Sequence, residues 1–144
     1  MTNDLLIARV AGERIAMAAI EVQSVIELGA IVPVPLAPRN IAGLATQRSR
    51  TLTVIDVALA LDLSPRSAPG RFAVVVEIEG VGYALAVDAV EHVIPALGDV
   101  QPVKARLSPG WARSAVGMVE TSVGTVLQVD LTRLVGGEAQ QKAA

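Results

Sequence analysis

The amino-acid sequence predicts an all-β protein with a few short helices. Apolar residues make up 52% of the 144 positions, and 22 of them are valine. Only three residues are aromatic, so the core has to be built from Val, Ile, Leu and Ala. Side chains branched at Cβ favour strands over helices. Apolar alternation in short segments and an internal repeat point to the same fold class.

Two hairpins show the alternation most clearly. Residues 5–10 and 13–19 flank one glycine turn, and residues 72–78 and 82–87 flank another. In the second strand of the first hairpin Ile15, Met17 and Ala19 fall on one face, as expected when one face of a strand is buried. In the second strand of the other hairpin Tyr83, Leu85 and Val87 do the same. Further strands are predicted over residues 31–35, 43–47, 51–55, 92–95, 115–121 and 124–129.

Short helices are predicted between some of these strands. Val22, Val25 and Ile26 have the i, i+3, i+4 spacing of a helix turn with one buried face, and the segment from Val90 to Ile94 repeats that spacing. The sequence therefore predicts one helix turn in each of these two segments.

Two further helices and three irregular segments complete the chain. Residues 56–61 and 130–135 each begin with Asp, a favoured N-cap, and continue with good helix formers. Residues 62–71 carry two prolines and a glycine and are predicted to form a connector. Residues 97–113 are predicted to be irregular, and residues 136–144 to form a flexible tail.

An internal repeat organises these elements. A shift of 68 residues places residues 12–26 on residues 80–94, with six of fifteen positions identical. A shift of 74 places residues 43–57 on residues 117–131. Two pairings in the same order indicate one supersecondary unit used twice. About five short strands in each half are enough to curl into a small barrel, which removes most exposed sheet edges.

Composition excludes several classes of protein. The net charge is -2, so no basic surface for nucleic acid is expected; Arg48, Arg50 and Arg66 would supply only a thin basic stripe. Cysteine is absent, which excludes disulfides and thiolate metal sites. No apolar run reaches 18 residues without a charge or proline, and no signal peptide is recognised. A cytoplasmic protein is expected.

Titratable residues give little support to an enzyme. Asp56, Asp88 and Asp130 each lie at a predicted strand-to-helix junction, where helix capping explains them, and Glu91 lies at the capping-box distance from Asp88. His92 is the only histidine and has no thiolate to help it bind a metal. The alternative that stays open is a small β-barrel ligand-binding protein or enzyme with a pocket near Asp56, Asp88 and His92.

The order of several short motifs resembles the CheW-like family of chemotaxis coupling proteins. Residues 32–61 carry a proline-marked loop, a glycine, an arginine turn and a strand ending in Val-Ile-Asp-Val. Residues 83–94, YALAVDAVEHVI, resemble the family's second marker, a strand ending in Val-Asp-x-Val. The positions that fit the first pattern are Pro33, Pro35, Pro38, Ile41, Gly43, Arg48, Val54, Ile55, Asp56 and Val57.

Two positions depart from the family pattern. The Asn-x-Arg-Gly turn of the family is Thr46, Gln47, Arg48 and Ser49 here. Serine replaces the glycine of that turn, so a positive φ at Ser49 would strain the backbone. The proline usually found before Val-Ile-Asp is Thr53.

The resemblance implies a fold of two small five-stranded SH3-like β-barrels in pseudo-two-fold arrangement with short helices. Residues 1–135 would form a single CheW-like domain. Its approximate halves, 12–61 and 80–135, would have intertwined ends. The implied function is a scaffold that couples chemoreceptors to a sensor histidine kinase.

The implied partners are the regulatory domain of the kinase and the cytoplasmic helices of the receptors, with no nucleic acid and no direct membrane insertion. No catalytic residue, cofactor or metal is implied, and the protein is not expected to be an enzyme. Arg48 also fits an ordinary exposed hairpin tip, and Val22 also fits a core position. The residues predicted to bind partners are Val22, Gly43, Leu44, Arg48, Ser49, Arg50 and Val90.

Overall fold

The computed structural model describes residues 3–63 and 70–135, which are dominated by strands. The strands are β1 (Asp4–Val10), β2 (Glu13–Ala18), β3 (Ser24–Glu27), β4 (Ile41–Gln47), β5 (Arg50–Asp56), β6 (Phe72–Ile78), β7 (Val81–Val87), β8 (Ala89–Pro95), β9 (Ala115–Thr121) and β10 (Gly124–Val129). The helices are α1 (Val57–Ala60), α2 (Pro109–Ser114) and α3 (131–135), and Ala19–Glu21 form a 3₁₀ turn.

The ten strands form two sheets of five. Sheet A has the order β8-β1-β2-β10-β9, and sheet B has the order β3-β6-β7-β5-β4. Sheet B is continuous in the chain, whereas sheet A combines the N-terminal hairpin with the last three strands. Each sheet contains one parallel pair, β2 with β10 and β5 with β7, and its other pairs are antiparallel.

The strand orders confirm the internal repeat. The shift of 68 carries β1 onto β6 and β2 onto β7, and the shift of 74 carries β4 onto β9 and β5 onto β10. Applied to sheet B, this correspondence reproduces the order of sheet A. The prediction of two five-stranded β units is confirmed as two five-stranded sheets, each of which takes strands from both halves of the sequence. Closure of the sheets into barrels is not confirmed. The hydrogen-bonded strand order leaves both sheets open, with edge strands β8 and β9 in sheet A and β3 and β4 in sheet B.

Strand alternation divides the buried side chains among three cores. On β7, Leu85 and Val87 face a central core, whereas Ala84 and Ala86 face the core of sheet B. The central core receives side chains from both sheets and from Trp111, and sheet A has a smaller core of its own. The core of sheet B consists largely of alanine and valine, whereas the central core also holds larger side chains such as Trp111 and Met17.

The two helix turns predicted around Val22 and Val90 are wrong. Residues 24–27 form strand β3 on β6, and residues 89–95 form strand β8 on β1. Three apolar positions at helical spacing are too short a signal when the residues are β-branched and an open sheet edge offers hydrogen bonds. In the strand, Val25 points to solvent and Ile26 packs inward.

Helix α2 lies inside the stretch that was predicted to be irregular. Pro109 occupies the first helical position, where its missing N–H costs nothing. The Gly110 amide donates to Asp62 Oδ2 at 2.7 Å, and Ser108 Oγ donates to the carbonyl of Leu61 at 2.9 Å. These bonds fix α2 against the end of α1. Of the predicted connector, residues 64–69 lie outside the described residues, and so does the predicted tail at 136–144.

Candidate functional site

The β4–β5 turn holds the arginine predicted to bind partners. Gln47 pairs with Arg50 across a two-residue turn in which both central residues have positive φ, 49° at Arg48 and 64° at Ser49. Such a turn matches the right-handed twist of the strands and normally uses Asn or Gly. Each L residue held in this region costs about 1 kcal/mol. The strain expected at Ser49 from the sequence is therefore present.

Arg48 is exposed at the tip of this turn. Its guanidinium makes no hydrogen bond or ion pair with residues 3–63 or 70–135. The dihedral angles of the turn set the direction of the Cα–Cβ bond of Arg48, and its exposed side chain extends from the tip into solvent. The geometry suits an arginine that anchors a second protein.

Arg50 has an internal role. Its Nη2 donates to Glu77 Oε1 at 2.7 Å, and its Nη1 donates to Gln23 Oε1 at 3.1 Å. Gly82 makes room for it, because a Cβ at Gly82 would lie 2.7 Å from Nη2. Both terminal amino groups of Arg50 are thus engaged within the protein, and the clamp ties the start of β5 to β3 and β6.

Gly43 has a backbone role. Its φ is 149°, and a Cβ at this position would lie 2.3 Å from the carbonyl oxygen of Val32. Leu44 exchanges both backbone hydrogen bonds with Val32, at 2.8 Å each, and is half-buried. Gly117 occupies the repeat-related position, with φ 157° and a Cβ position 2.4 Å from the carbonyl oxygen of Gln101. In each half, glycine lets a loop cross a sheet edge.

Val22 and Val90 are half-buried and pack against the central core. The exposed valines are their neighbours on the edge strands, Val25 at 44% and Val93 at 58% of their accessible surface. Val25 and Val93 are repeat-related and present an apolar side chain from β3 and from β8 respectively.

The side chains of Asp56, Asp88 and Asp130 accept hydrogen bonds from backbone amides. Asp56 Oδ1 accepts from the Leu59 amide at 3.3 Å, and Asp130 Oδ1 accepts from the Arg133 amide at 3.0 Å, which confirms both as helix caps. The capping box predicted at Asp88 is wrong, since strand β8 follows it. Asp88 Oδ2 instead accepts from the Ala11 amide at 2.8 Å and holds the β1–β2 turn.

The structure does not bring the residues of the enzyme alternative together in any of three clefts in its described part. His92 is exposed on β8, opposite Ile7. Neither it nor Asp56 or Asp88 lines the clefts of about 510, 530 and 640 Å³ found in residues 3–63 and 70–135. Those residues also hold no group of three or more His, Asp or Glu side chains placed for a metal ion.

One charged cluster was missed in the sequence. Glu91 Oε1 accepts from Arg14 Nε at 2.8 Å, and Glu91 Oε2 accepts from Arg9 Nε at 3.0 Å. The hydrogen bonds from Arg14 and then Arg9 hold the pKa of Glu91 below its ordinary value of 4.5. The sequence places both arginines near the β1–β2 turn. It does not predict the pairing of β1 with β8, which brings Glu91 to them, because that pairing joins segments far apart in the chain.

The comparisons with known proteins agree with this fold. A family model described as the CheW-like domain matches residues 4–139. The chain belongs to the CheW-like domain family. A crystal structure of the scaffolding protein TtCheW from Thermoanaerobacter tengcongensis is similar, with a TM-score of 0.80 and 23% sequence identity. The match covers 93% of this chain and 92% of that one. No curated protein matches this chain by sequence.

Membership in the CheW-like family supports an adaptor role in chemotaxis-type signalling. Within the part of the chain that the structure describes, no helix is long and apolar enough to cross a bilayer.

Proposed function

We propose that this protein couples chemoreceptors to a sensor histidine kinase by binding both. The partners in this proposal are the cytoplasmic helices of the receptors and the regulatory domain of the kinase, so the protein would act in the cytoplasm. Such an adaptor needs no chemistry of its own. It changes kinase output only by binding two states of the complex with different affinity.

The observation that supports this proposal best is the position of Arg48 on its turn, where its guanidinium pairs with none of the residues that the structure describes. Arg50, two residues on, donates from both terminal amino groups to Glu77 and Gln23 and holds the turn in place. In this proposal Arg48 contacts the partner directly, with Ser49 beside it. Arg50 and Gly43 act indirectly, by fixing the strands that carry the turn.

Apolar recognition of the receptor helices is proposed for the edge strands. Val22 and Val90 contribute their exposed parts, and Val25 and Val93 contribute larger exposed surfaces. An amphipathic helix binds through apolar side chains spaced over one face, which such shallow apolar positions can receive.

The test is a binding titration with the purified kinase regulatory domain and, separately, with a receptor cytoplasmic fragment. Arg48→Glu is expected to weaken binding of one partner at least roughly tenfold, the effect of losing one well-placed arginine contact. The control is Arg71→Glu, since Arg71 is an exposed arginine just before β6 whose ion-pair partner among the described residues, Glu27, is also at the surface. Wild-type affinity of the Arg48 variant for both partners would contradict the assignment of Arg48.

A further inference from the structure

A second surface of the molecule has the features of a docking site. A cleft of about 510 Å³ lies between the β1–β2 turn, strand β10 and the loop at residues 103–107. Its floor is apolar and includes Leu107, Trp111, Met118 and Leu127. None of the residues assigned above to partner binding lines it. This cleft is called the Trp111 cleft below.

Two arginines that line the Trp111 cleft use only their Nε–H group in hydrogen bonds to the described residues. Arg9 and Arg14 each donate Nε–H to Glu91, and their terminal amino groups donate to no residue in 3–63 or 70–135. One carboxylate thus holds two guanidinium groups in place while four terminal N–H₂ edges and a net positive charge remain. A pre-positioned guanidinium is well suited to a carboxylate, which it can bind through two parallel hydrogen bonds.

The surroundings of the cleft add positive charge. Lys104 and Arg106 are exposed on the loop whose neighbouring residues Val103, Ala105 and Leu107 line the cleft, and Glu13 is the one acidic residue in the lining. The chain as a whole carries a net charge of -2. A positive patch around an apolar floor on an acidic protein is complementary to an acidic, apolar ligand.

We propose that the Trp111 cleft docks a segment of a partner protein in which aliphatic side chains are flanked by carboxylates. The aliphatic side chains would lie on Trp111, Met118 and Leu127, and a carboxylate would accept hydrogen bonds from the terminal amino groups of Arg9 and Arg14. A segment of this composition would bury the apolar floor and would also pair with Arg9 and Arg14, whereas a purely polar anion would leave the floor exposed to water. The inference is independent of the function proposed above.

Trp111 is the single tryptophan of the chain, so its fluorescence reports events in the cleft. The probe is an aromatic-free amphipathic peptide of leucine and glutamate, and the comparison peptide has lysine in place of glutamate. We expect a saturable fluorescence change with the glutamate peptide, weakened by salt, and none with the lysine peptide.

Three variants locate the binding. Arg14→Gln is expected to weaken binding about tenfold, the loss of a charge-assisted pair of hydrogen bonds, and Arg9 still holds Glu91 in that variant. Ala105→Glu places a carboxylate in the cleft without removing a core side chain, and it should abolish binding. Arg71→Gln, a surface arginine of sheet B, should bind as the wild type does. Circular dichroism melts confirm that each variant is folded.

Several results would overturn the proposal. One is the absence of a saturable change with the glutamate peptide, and another is unchanged affinity in both Arg14→Gln and Ala105→Glu. Binding of phosphatidylglycerol vesicles without binding of the peptide would assign the cleft to a lipid surface instead. Concentration-dependent self-association that Ala105→Glu removes would assign it to a second copy of this chain.

Discussion

The two sheets carry the same strand order but place their arginines on opposite strands. In sheet B, Arg50 on β5 lies over Gly82 on β7 and binds Glu77 and Gln23. The repeat-related positions in sheet A are Gly124 for Arg50, Arg14 for Gly82, Arg9 for Glu77 and Glu91 for Gln23. Glycine and arginine have changed places across a parallel strand pair.

The exchange of positions also changes the charge of the cluster. In sheet B each terminal amino group of one arginine donates one hydrogen bond within the protein, whereas in sheet A one carboxylate holds two arginines by Nε. The duplicated backbone fixes where a polar cluster can form. The side chains then decide whether that cluster is a closed structural clamp or a positive surface with free donors.

The largest effect is expected where both halves need glycine for the same reason. Gly43→Ala and Gly117→Ala should each lower the free energy of unfolding by roughly 3 kcal/mol, since a Cβ would clash with a backbone carbonyl in both. Gly12→Ala and Gly80→Ala are the controls, because these glycines also have positive φ, 83° and 80°, but open space around Cβ, and each should lose only about 1 kcal/mol. Urea unfolding measures all four. Equal losses in the two sets would show that the crossing loops are not tightly packed.

The next effect distinguishes the two hairpin turns. Ser49→Gly should raise the free energy of unfolding by about 1 kcal/mol, because glycine adopts φ 64° without strain. The repeat-related turn is closed differently, by Thr121 Oγ1, which donates to the carbonyl of Gly124 at 2.7 Å and accepts from the Val123 amide. Ser122→Gly should therefore not raise the free energy of unfolding. An increase similar to that of Ser49→Gly would show that the two hairpin turns do not differ in strain.

The Glu91 cluster should make stability depend on pH. The folded-state pKa of Glu91 lies below 4.5, its ordinary value, so its ionised form is favoured in the folded protein. Its contribution is fully present above pH 4.5 and is lost as the pH falls through the lowered pKa. The difference in melting temperature between wild type and Glu91→Gln should therefore shrink on acidification from pH 7 to pH 3. A difference that stays constant over this range would show that Glu91 does not act through its charge.

The smallest effect compares the two arginine arrangements directly. Arg50→Gln should cost about 0.5 kcal/mol, since it is the cation that holds Glu77 and Gln23, and Arg14→Gln should cost less, because Arg9 continues to hold Glu91. Both side chains are about 40% exposed, so both effects stay small. Denaturant titrations at low and high salt give the order. A larger loss of unfolding free energy for Arg14→Gln than for Arg50→Gln would show that Arg14, and not Arg50, has the greater structural role.

Much of the fold could be predicted from the sequence, because strand alternation and glycine turns are local signals. The hairpins around Ala11 and Gly80 and the helix caps at Asp56 and Asp130 are examples. The segments around Val22 and Val90 could not be assigned correctly, since their strands exist only because β6 and β1 offer edges for pairing. Barrel closure likewise depends on how the sheet edges meet in space.

Less of the candidate site could be predicted. The position of Arg48 on a strained turn follows from local sequence, including the strain at Ser49. The inward engagement of Arg50 does not, because Glu77 and Gln23 are brought to it by strands 27 residues away. The Glu91 cluster joins residues that are 77 and 82 positions apart, so it emerges only once the N-terminal hairpin has joined sheet A.

A bridging assay tests the adaptor role most directly. A receptor cytoplasmic fragment is fixed to beads and mixed with the kinase regulatory domain, with and without this protein. We predict that the kinase domain is retained only when the protein is present, and that Arg48→Glu lowers retention while Arg71→Glu does not. Equal retention with and without the protein, or none in either case, would contradict the adaptor role.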